Sequence, residues 1–217
     1  MAQYFLVHAV TPQRRLLRQA ADIVRNGGLI AYPTDSCYAL GCRIGDAKAL
    51  ARLRRVRGMD DKHHLTLMCR DLSEIATYAI VDNVQYRLLK AATPGAYTFI
   101  LRATREVPRR LLHPRRKTIG VRVPDHVIAH ALLAELDQPM LSATLTLRGD
   151  PTPPSSATEI RASLEHDIDL VIDGGSCGTL SSTVIDLTTD VPAVLRRGKG
   201  SIDKLGVVAV ESADVAL

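Results

Sequence analysis

The sequence predicts an α/β domain built on a twisted, mixed, open sheet that is flanked by helices. Helical and extended apolar patterns alternate along the chain, as an α/β fold requires. The chain has 217 residues, of which 46% are hydrophobic, enough for one sizeable core. We expect a single domain over residues 1–206, followed by a weakly patterned C-terminal tail over residues 207–217.

The first half of the chain predicts a helix, a buried strand and a second helix. The apolar residues of the first helix fall at helical spacing, namely Leu16, Leu17, Ala20, Ile23 and Val24. A stop at residues 26–28 ends this helix before the buried strand Leu29 to Tyr32. Asp46 is the expected cap of the second helix, and Gly58 its expected end. This helix would bury Ala49, Leu50, Leu53 and Val56, with its arginines on the other sides.

The second half predicts four more strands and two more helices. The strands are expected over residues 97–101, 118–123, 168–172 and 183–187. Pro124-Asp125 is expected to open a helix with Val127, Ile128, Ala131 and Leu132 facing inward. Ser156 to Glu159 reads as a capping box that starts another helix. In such a sheet we expect the strand ends to open into a cleft.

The charge distribution is compatible with a phosphate-bearing partner and, taken alone, slightly favours a solvated helix face. The net charge is +5, and the cations concentrate within residues 52–57 and 105–117. Such clusters attract phosphate, in a nucleotide or along a nucleic-acid backbone, although a solvated helix face explains them as well. Aromatic residues make up only 4% of the chain and Trp is absent, which disfavours an RNA reader that stacks bases on aromatic rows.

The cysteines predict reduced thiols in a cytoplasmic protein. Cys37, Cys42, Cys69 and Cys177 are irregularly spaced and too few to staple a chain of this length. A metal site from Cys37, Cys42 and His63-His64 is a disfavoured alternative, because no tight ligand spacing is present. No apolar run approaches the roughly 20 residues that span a bilayer, and the N-terminus lacks a basic leader, so we expect no membrane partner.

Two loops at strand ends are candidates for ligand binding. The turn Pro33-Thr34-Asp35-Ser36 presents hydroxyls and a carboxylate after a buried strand, although an ordinary turn that bonds its own backbone is the alternative. The Gly-rich segment 173–178 could direct backbone N–H groups toward an anion. No P-loop, dinucleotide-binding glycine motif or Gly-x-Ser-x-Gly occurs, so these loops belong to none of those site types.

Four segments in order, over residues 29–41, 93–98, 120–124 and 181–186, resemble the YrdC/YciO family. Its better-known members make threonylcarbamoyl-adenylate from threonine, bicarbonate and ATP for the t6A modification of tRNA. The resemblance implies a YrdC-like fold with a large basic cleft. It also implies ATP as the nucleotide, Mg²⁺ carried by the nucleotide, and no metal bound by the protein itself.

The resemblance also assigns candidate site residues. It implies that Thr34, Ser36 and Tyr38 contact threonine. For the nucleotide and its phosphates it implies the following set: Arg57, Arg122, Thr144, Thr146, Ser182 and Arg196. Of these, Arg57 and Thr144 would be catalytic.

The chain departs from the synthase pattern at two places. Where the synthases carry Lys-Gly-Arg, this chain has Arg57-Gly-Met59, so one cation is lost. Where they carry Ser-x-Asn, it has Thr144-Leu-Thr146, so an amide is lost. These departures are typical of the YciO branch. Arg54, Arg55 or Lys62 would be the candidates to replace the lost cation.

We therefore expect a YciO-type protein that binds ATP, AMP or an adenylate, with weakened or altered synthase activity. Threonine and bicarbonate are the further small ligands that this reading implies. The alternative is an RNA-binding protein, for double-stranded RNA or tRNA, that uses the basic surface without synthase activity. The sequence leaves the oligomeric state open.

Overall fold

A ten-stranded mixed sheet forms the centre of the protein, in a computed structural model that describes residues 1–59, 65–113, 115–147, 149–203 and 205. The strands are β1 Gln3–Leu6, β2 Ile30–Tyr32, β3 Ala39–Arg43, β4 Thr66–Met68, β5 Tyr97–Arg102, β6 Thr118–Arg122, β7 Met140–Thr144, β8 Leu170–Asp173, β9 Thr183–Asp186 and β10 Ala193–Arg196. The helices are α1 Arg14–Arg25, α2 Ala47–Arg57, α3 Leu72–Tyr78, α4 Asn83–Ala92, α5 Val127–Leu136 and α6 Ala157–Leu164. A short 3₁₀ helix covers Arg109–Leu111.

The strand order is β1-β8-β2-β3-β7-β4-β6-β5-β9-β10. Strand β8 pairs in parallel with both β1 and β2, and the pairs β4/β6 and β5/β9 are also parallel. The remaining neighbours are antiparallel. The predicted mixed sheet is therefore confirmed.

Helices pack on both faces of the sheet, as predicted. On one face, α1 and α5 bury Leu17, Val24 and Leu132 against a cluster that includes Ile30 and Met140. On the other face, α2, α4 and α6 bury apolar residues against strand side chains such as Leu67, Phe99 and Leu141. Because successive strand residues point to opposite faces, the two clusters take alternate positions of the same strands.

The sequence signals for α2 act as predicted. The Asp46 side chain accepts hydrogen bonds from the backbone N–H groups of Lys48 and Ala49, both at 2.9 Å, and so satisfies two free donors of the first turn. The helix ends where Gly58 turns left-handed at a φ of 65°, a conformation that glycine adopts without strain. This helix end positions Arg57 and Met59.

Two local predictions are wrong in detail. Helix α5 begins at Val127 with His126 as its cap, and Val127 is 50% exposed, whereas Ile128 and Leu132 are buried as predicted, Ala131 packs partly buried against the core, and Ala129 joins the inward face. At α6, the Ser156 hydroxyl accepts from the N–H of Thr158, one residue earlier than a capping box requires.

The described helices include none that is long and apolar enough to cross a bilayer. The tail predicted over residues 207–217 lies outside the described residues, so its boundary stays a prediction.

Candidate functional site

A cleft of about 700 Å³, including the solvent at its mouth, lies over one face of the central strands. Alternate residues of these strands line it, together with the turn after β2 and the end of α2. The lining comprises Thr34, Ser36, Cys37, Ala39, Arg57, Met59, Thr66, Met68, Thr98, Ile100, Arg122, Ser142, Ala143, Thr144, Ser182, Val184 and Arg196. Ala39 and Met68 also belong to the apolar cluster under α1 and α5, so the cleft shares the face that those helices cover in part.

Strand ends contribute much of the cleft wall, as predicted, and interior positions of β5, β7 and β9 contribute the rest. Thr66 and Met68, Thr98 and Ile100, and Ser142 and Thr144 are pairs two residues apart on β4, β5 and β7. Such spacing places both members of a pair on one face of a strand. The floor is thus the polar part of a sheet face, and strand ends contribute the turn at residues 34–37 together with Ala39, Met68, Arg122, Thr144 and Arg196.

The turn after β2 is both a backbone-bonded turn and part of the cleft. The Thr34 hydroxyl donates to the carbonyl of Cys37 at 2.7 Å and accepts from the N–H groups of Ser36 and Cys37 at 3.2 and 3.3 Å. The Thr34 and Ser36 hydroxyls lie 3.1 Å apart. These bonds hold Thr34 and Ser36 in fixed positions in the lining. The turn therefore bonds its own backbone and also forms part of the cleft wall.

Tyr38 does not line the cleft. Its ring is fully buried in the core on the opposite face of the sheet, and its hydroxyl donates to the Gly175 carbonyl at 2.7 Å. Strand alternation explains this placement, because Cys37 and Ala39 on either side of it point into the cleft. Tyr38 therefore holds the Gly-rich loop, and a contact between its ring and a cleft ligand finds no support here.

The Gly-rich loop is also outside the cleft lining. The Gly175 N–H donates to the Asp173 carboxylate at 2.8 Å, which closes a tight turn. A Cβ at Gly178 would lie only 2.7 Å from the Ser36 carbonyl oxygen, so glycine lets this loop approach the turn after β2. The loop therefore supports the turn from behind.

Arg57 reaches the cleft from the last turn of α2. It donates through Nη1 to the Thr146 hydroxyl, while its Nε is buried without a hydrogen-bond partner. Burial lowers the pKa of the Arg57 guanidinium, and no carboxylate among the described residues offsets that shift. Thr146 is 9% exposed and stands behind Arg57, outside the lining.

Arg122 is the most deeply buried cation of the cleft. It donates to the Asp35 carboxylate at 2.5 Å, and its Nε is buried without a partner. Asp35 in turn accepts at its backbone carbonyl from the Lys199 ammonium. The Arg122 charge is thus neutralised by Asp35, in contrast to that of Arg57.

Arg196 and Ser182 form one corner of the cleft with Thr98. Arg196 donates through Nε and Nη2 to the Ser182 carbonyl at 3.3 and 3.1 Å, and the Ser182 hydroxyl lies 2.8 Å from that of Thr98. Burial lowers the pKa of Arg196, and the neighbouring Arg122 and Arg57 lower it further. Thr98, Thr66 and Ser142 were not predicted as site residues; alternation along β7 from Thr144 would have found Ser142, whereas Thr66 and Thr98 lie on other strands and need the strand pairing.

None of the described cations that were candidates to replace the lost charge lines the cleft. Met59 lines the cleft at the position of the lost cation, half-buried against the core. Arg55 pairs with Asp167 at 3.4 Å and Arg52 with Asp169 at 2.8 Å, so both bind the β8 side of the protein. Arg54 does not line the cleft, and Lys62 lies outside the described residues.

The basic segment 105–117 forms an exposed surface. Its cations among the described residues are exposed, namely Arg105, Arg109, Arg110, Arg115, Arg116 and Lys117. Arg116 lies 3.7 Å from the Asp186 carboxylate. This surface is distinct from the cleft.

All four cysteines carry free thiols. Burial raises the pKa of Cys37 in the cleft wall and raises that of Cys177 to about 11. His63 and His64 of the disfavoured metal site lie outside the described residues, and the part of the chain that is described holds no group of three or more metal-binding side chains.

The class of protein is thus an α/β protein with a mixed sheet and a polar cleft on one sheet face, and three arginines line that cleft. The Sua5/YciO/YrdC family model, described as telomere recombination, matches residues 22–198, and the chain belongs to this family.

Its relatives include both branches of the family. YciO of Escherichia coli K12, an uncharacterised protein, is 55% identical over 93% of this chain and 98% of its own length, and its crystal structure superposes with a TM-score of 0.91. The threonylcarbamoyl-AMP synthase of Pyrococcus abyssi is 30% identical over 90% of this chain and 57% of its own length. The structure of P. abyssi Sua5 complexed with L-threonine superposes with a TM-score of 0.83 at 29% identity.

Proposed function

We propose that this protein binds a nucleotide, as ATP, AMP or an adenylate, in the cleft over the central strands. The observation that carries the proposal is a pair of half-buried guanidiniums, Arg57 and Arg196, which line the cleft and whose pKa values are lowered by burial with no compensating carboxylate among the residues that the structure describes. Burying a cation is costly unless an anion or hydrogen-bonding groups compensate it. A phosphate group supplies both, because guanidinium and phosphate form paired, charge-assisted hydrogen bonds.

The lining fits the nucleotide that the family relation suggests. Its hydroxyls, at Thr66, Thr98, Thr144 and Ser182, donate and accept hydrogen bonds beside the arginines. Carboxylates are absent from the lining that the structure describes, so Mg²⁺ would enter with the phosphates of ATP, where it neutralises charge. Protein groups would then contribute position and positive charge.

The amino-acid part of the ligand would lie against the turn after β2. The complex of P. abyssi Sua5 with L-threonine motivates the choice of amino acid. In this chain Thr34 and Ser36 present fixed hydroxyls there, and we propose them as threonine contacts.

We further propose that adenylate formation is weak. Met59 places a thioether where the synthase pattern has a cation, and Arg52 and Arg55 are paired with carboxylates elsewhere. One lost charge at the reacting groups costs on the order of 3 kcal/mol, about a hundredfold in rate.

The test is incubation with ATP, L-threonine and bicarbonate, followed by measurement of pyrophosphate and of threonylcarbamoyl-AMP. Calorimetric titration with ATP and with AMP accompanies it. We expect binding together with slow turnover. Absence of binding at millimolar nucleotide would contradict the nucleotide cleft, and turnover at roughly 1 per second or faster, typical of enzymes, would contradict the weakened activity.

A second candidate function is RNA binding at the surface of residues 105–117. Six exposed cations, of which Arg116 lies near a carboxylate, favour it. Binding through backbone phosphates falls steeply with salt and shows little sequence preference. The double change Arg109→Glu with Arg110→Glu is expected to weaken binding of a short RNA duplex, whereas Arg87→Glu on exposed α4 is the control. Salt-insensitive or absent binding near physiological ionic strength would assign these arginines to an ordinary solvated surface.

A further inference from the structure

We infer that Thr146 is a positioning residue, whose hydroxyl fixes the Arg57 guanidinium at the cleft. The inference rests on the proposed function, because it concerns how Arg57 meets an anion. It assigns to Thr146 a role other than direct contact with the nucleotide.

The contact joins two segments that are far apart in the chain. Arg57 Nη1 donates to Thr146 Oγ1, which links the end of α2 to the segment that follows β7. Arg57 belongs to the cleft lining, whereas Thr146 is buried behind it. The hydroxyl therefore holds one edge of the guanidinium, while Nε remains buried without a partner.

Rigidity at this position has a physical use. A free arginine side chain loses rotamer entropy when it becomes fixed. Holding Nη1 in advance removes part of that cost from ligand binding. A hydrogen bond from a charged group contributes more than one between neutral groups.

The contact also explains why two departures from the synthase pattern occur together. An arginine at position 57 carries a wide fork that a compact ammonium lacks, and a short hydroxyl side chain at position 146 accepts from that fork. An asparagine at position 146 would bring a larger side chain to the same place. We therefore expect residues 57 and 146 to work as a matched pair.

The experiment measures the affinity for ATP and for inorganic pyrophosphate by calorimetry in a set of variants. Thr146→Val removes the hydroxyl at nearly constant volume, and we expect about tenfold weaker binding. Thr146→Ser keeps the hydroxyl and should bind within about twofold of wild type. In an Arg57→Met background, Thr146→Val should have no further effect, because the group that it positions is gone.

The inference is overturned if Thr146→Val binds pyrophosphate as tightly as wild type, or if it weakens binding equally in the Arg57→Met background. A wild type that binds neither ATP nor pyrophosphate would refute the proposed function instead. In that event, urea unfolding of wild type, Thr146→Val, Arg57→Met and the double variant decides the contact itself. Non-additive unfolding free energies for positions 57 and 146 would support it, and additive ones would overturn it.

Discussion

The guanidinium of Arg122 donates to the carboxylate of Asp35 at 2.5 Å, across the wall between β6 and the turn after β2. The two side chains are only 8% and 11% exposed. This pair fixes the turn that carries Thr34 and Ser36 against the central strands. It also removes one of the three cleft cations from the charge available to a ligand.

Breaking this pair is expected to destabilise the fold. Asp35→Ala leaves a buried guanidinium uncompensated, so it should lower the free energy of unfolding by about 3–5 kcal/mol. The double change with Arg122→Ala should cost less than the sum of the single changes. Urea unfolding followed by circular dichroism measures all four proteins. Additive effects would show that the two charges do not compensate each other.

Arg196 should carry much of the nucleotide affinity. AMP or ATP at about a hundred times its dissociation constant stabilises a folded protein by about 2.7 kcal/mol, which for this size raises the melting temperature by roughly 5–10 °C. Arg196→Ala should lose most of that shift. Arg87→Ala on exposed α4 is a matched control that should keep it. An unchanged shift in Arg196→Ala would remove this arginine from the binding site.

Restoring the synthase pattern should restore activity. The triple change Arg57→Lys, Met59→Arg and Thr146→Asn supplies the missing cation and amide, and we expect synthase activity to rise tenfold or more, with about 1.4 kcal/mol for each tenfold. Arg57→Lys is included because Arg57 and Thr146 share a hydrogen bond. Single changes should show little effect, since the sites couple. A triple variant that folds and binds ATP but gains no activity would mean that the cleft serves another reaction.

His126 should make stability depend on pH. Burial lowers its pKa, Asp35 and Asp125 oppose that shift, and His130 and Arg122 add to it. Because the folded pKa lies below the unfolded value of about 6.5, the unfolded state binds more protons, and stability falls as pH drops through that range. His126→Gln should make the decline between about pH 7 and 5.5 shallower, by at most about 1.4 kcal/mol per pH unit.

The control for this experiment is Arg87→Gln on exposed α4, which changes neither a histidine nor a carboxylate. It should leave the pH dependence of unfolding nearly unchanged. Equal slopes for wild type and His126→Gln would show that His126 does not titrate differently in the two states.

The sequence alone determined the local elements and the family. Apolar periodicity predicted α1, and Asp46 and Gly58 predicted both ends of α2, because caps and glycine turns act within a few residues. The strands β1, β3, β4, β7 and β10 and the helices α3 and α4 were not predicted, since elements this short carry little periodicity unless a turn signal marks them, as it does before β2. The four motif segments that identified the family are each short and continuous in the sequence, so they are recognisable without the structure.

Only the tertiary structure decided the order of the strands and the composition of the cleft. Strand β8 pairs with β1 and β2, which lie far from it in sequence, and no local signal specifies such pairing. The same long-range packing decided which predicted residues face one another. Alternation along the chain turned Tyr38 away from the cleft, while the meeting of α2 with the segment after β7 placed Thr146 behind Arg57. A side chain's partner is set by the register and packing of distant segments, which local pattern leaves undetermined.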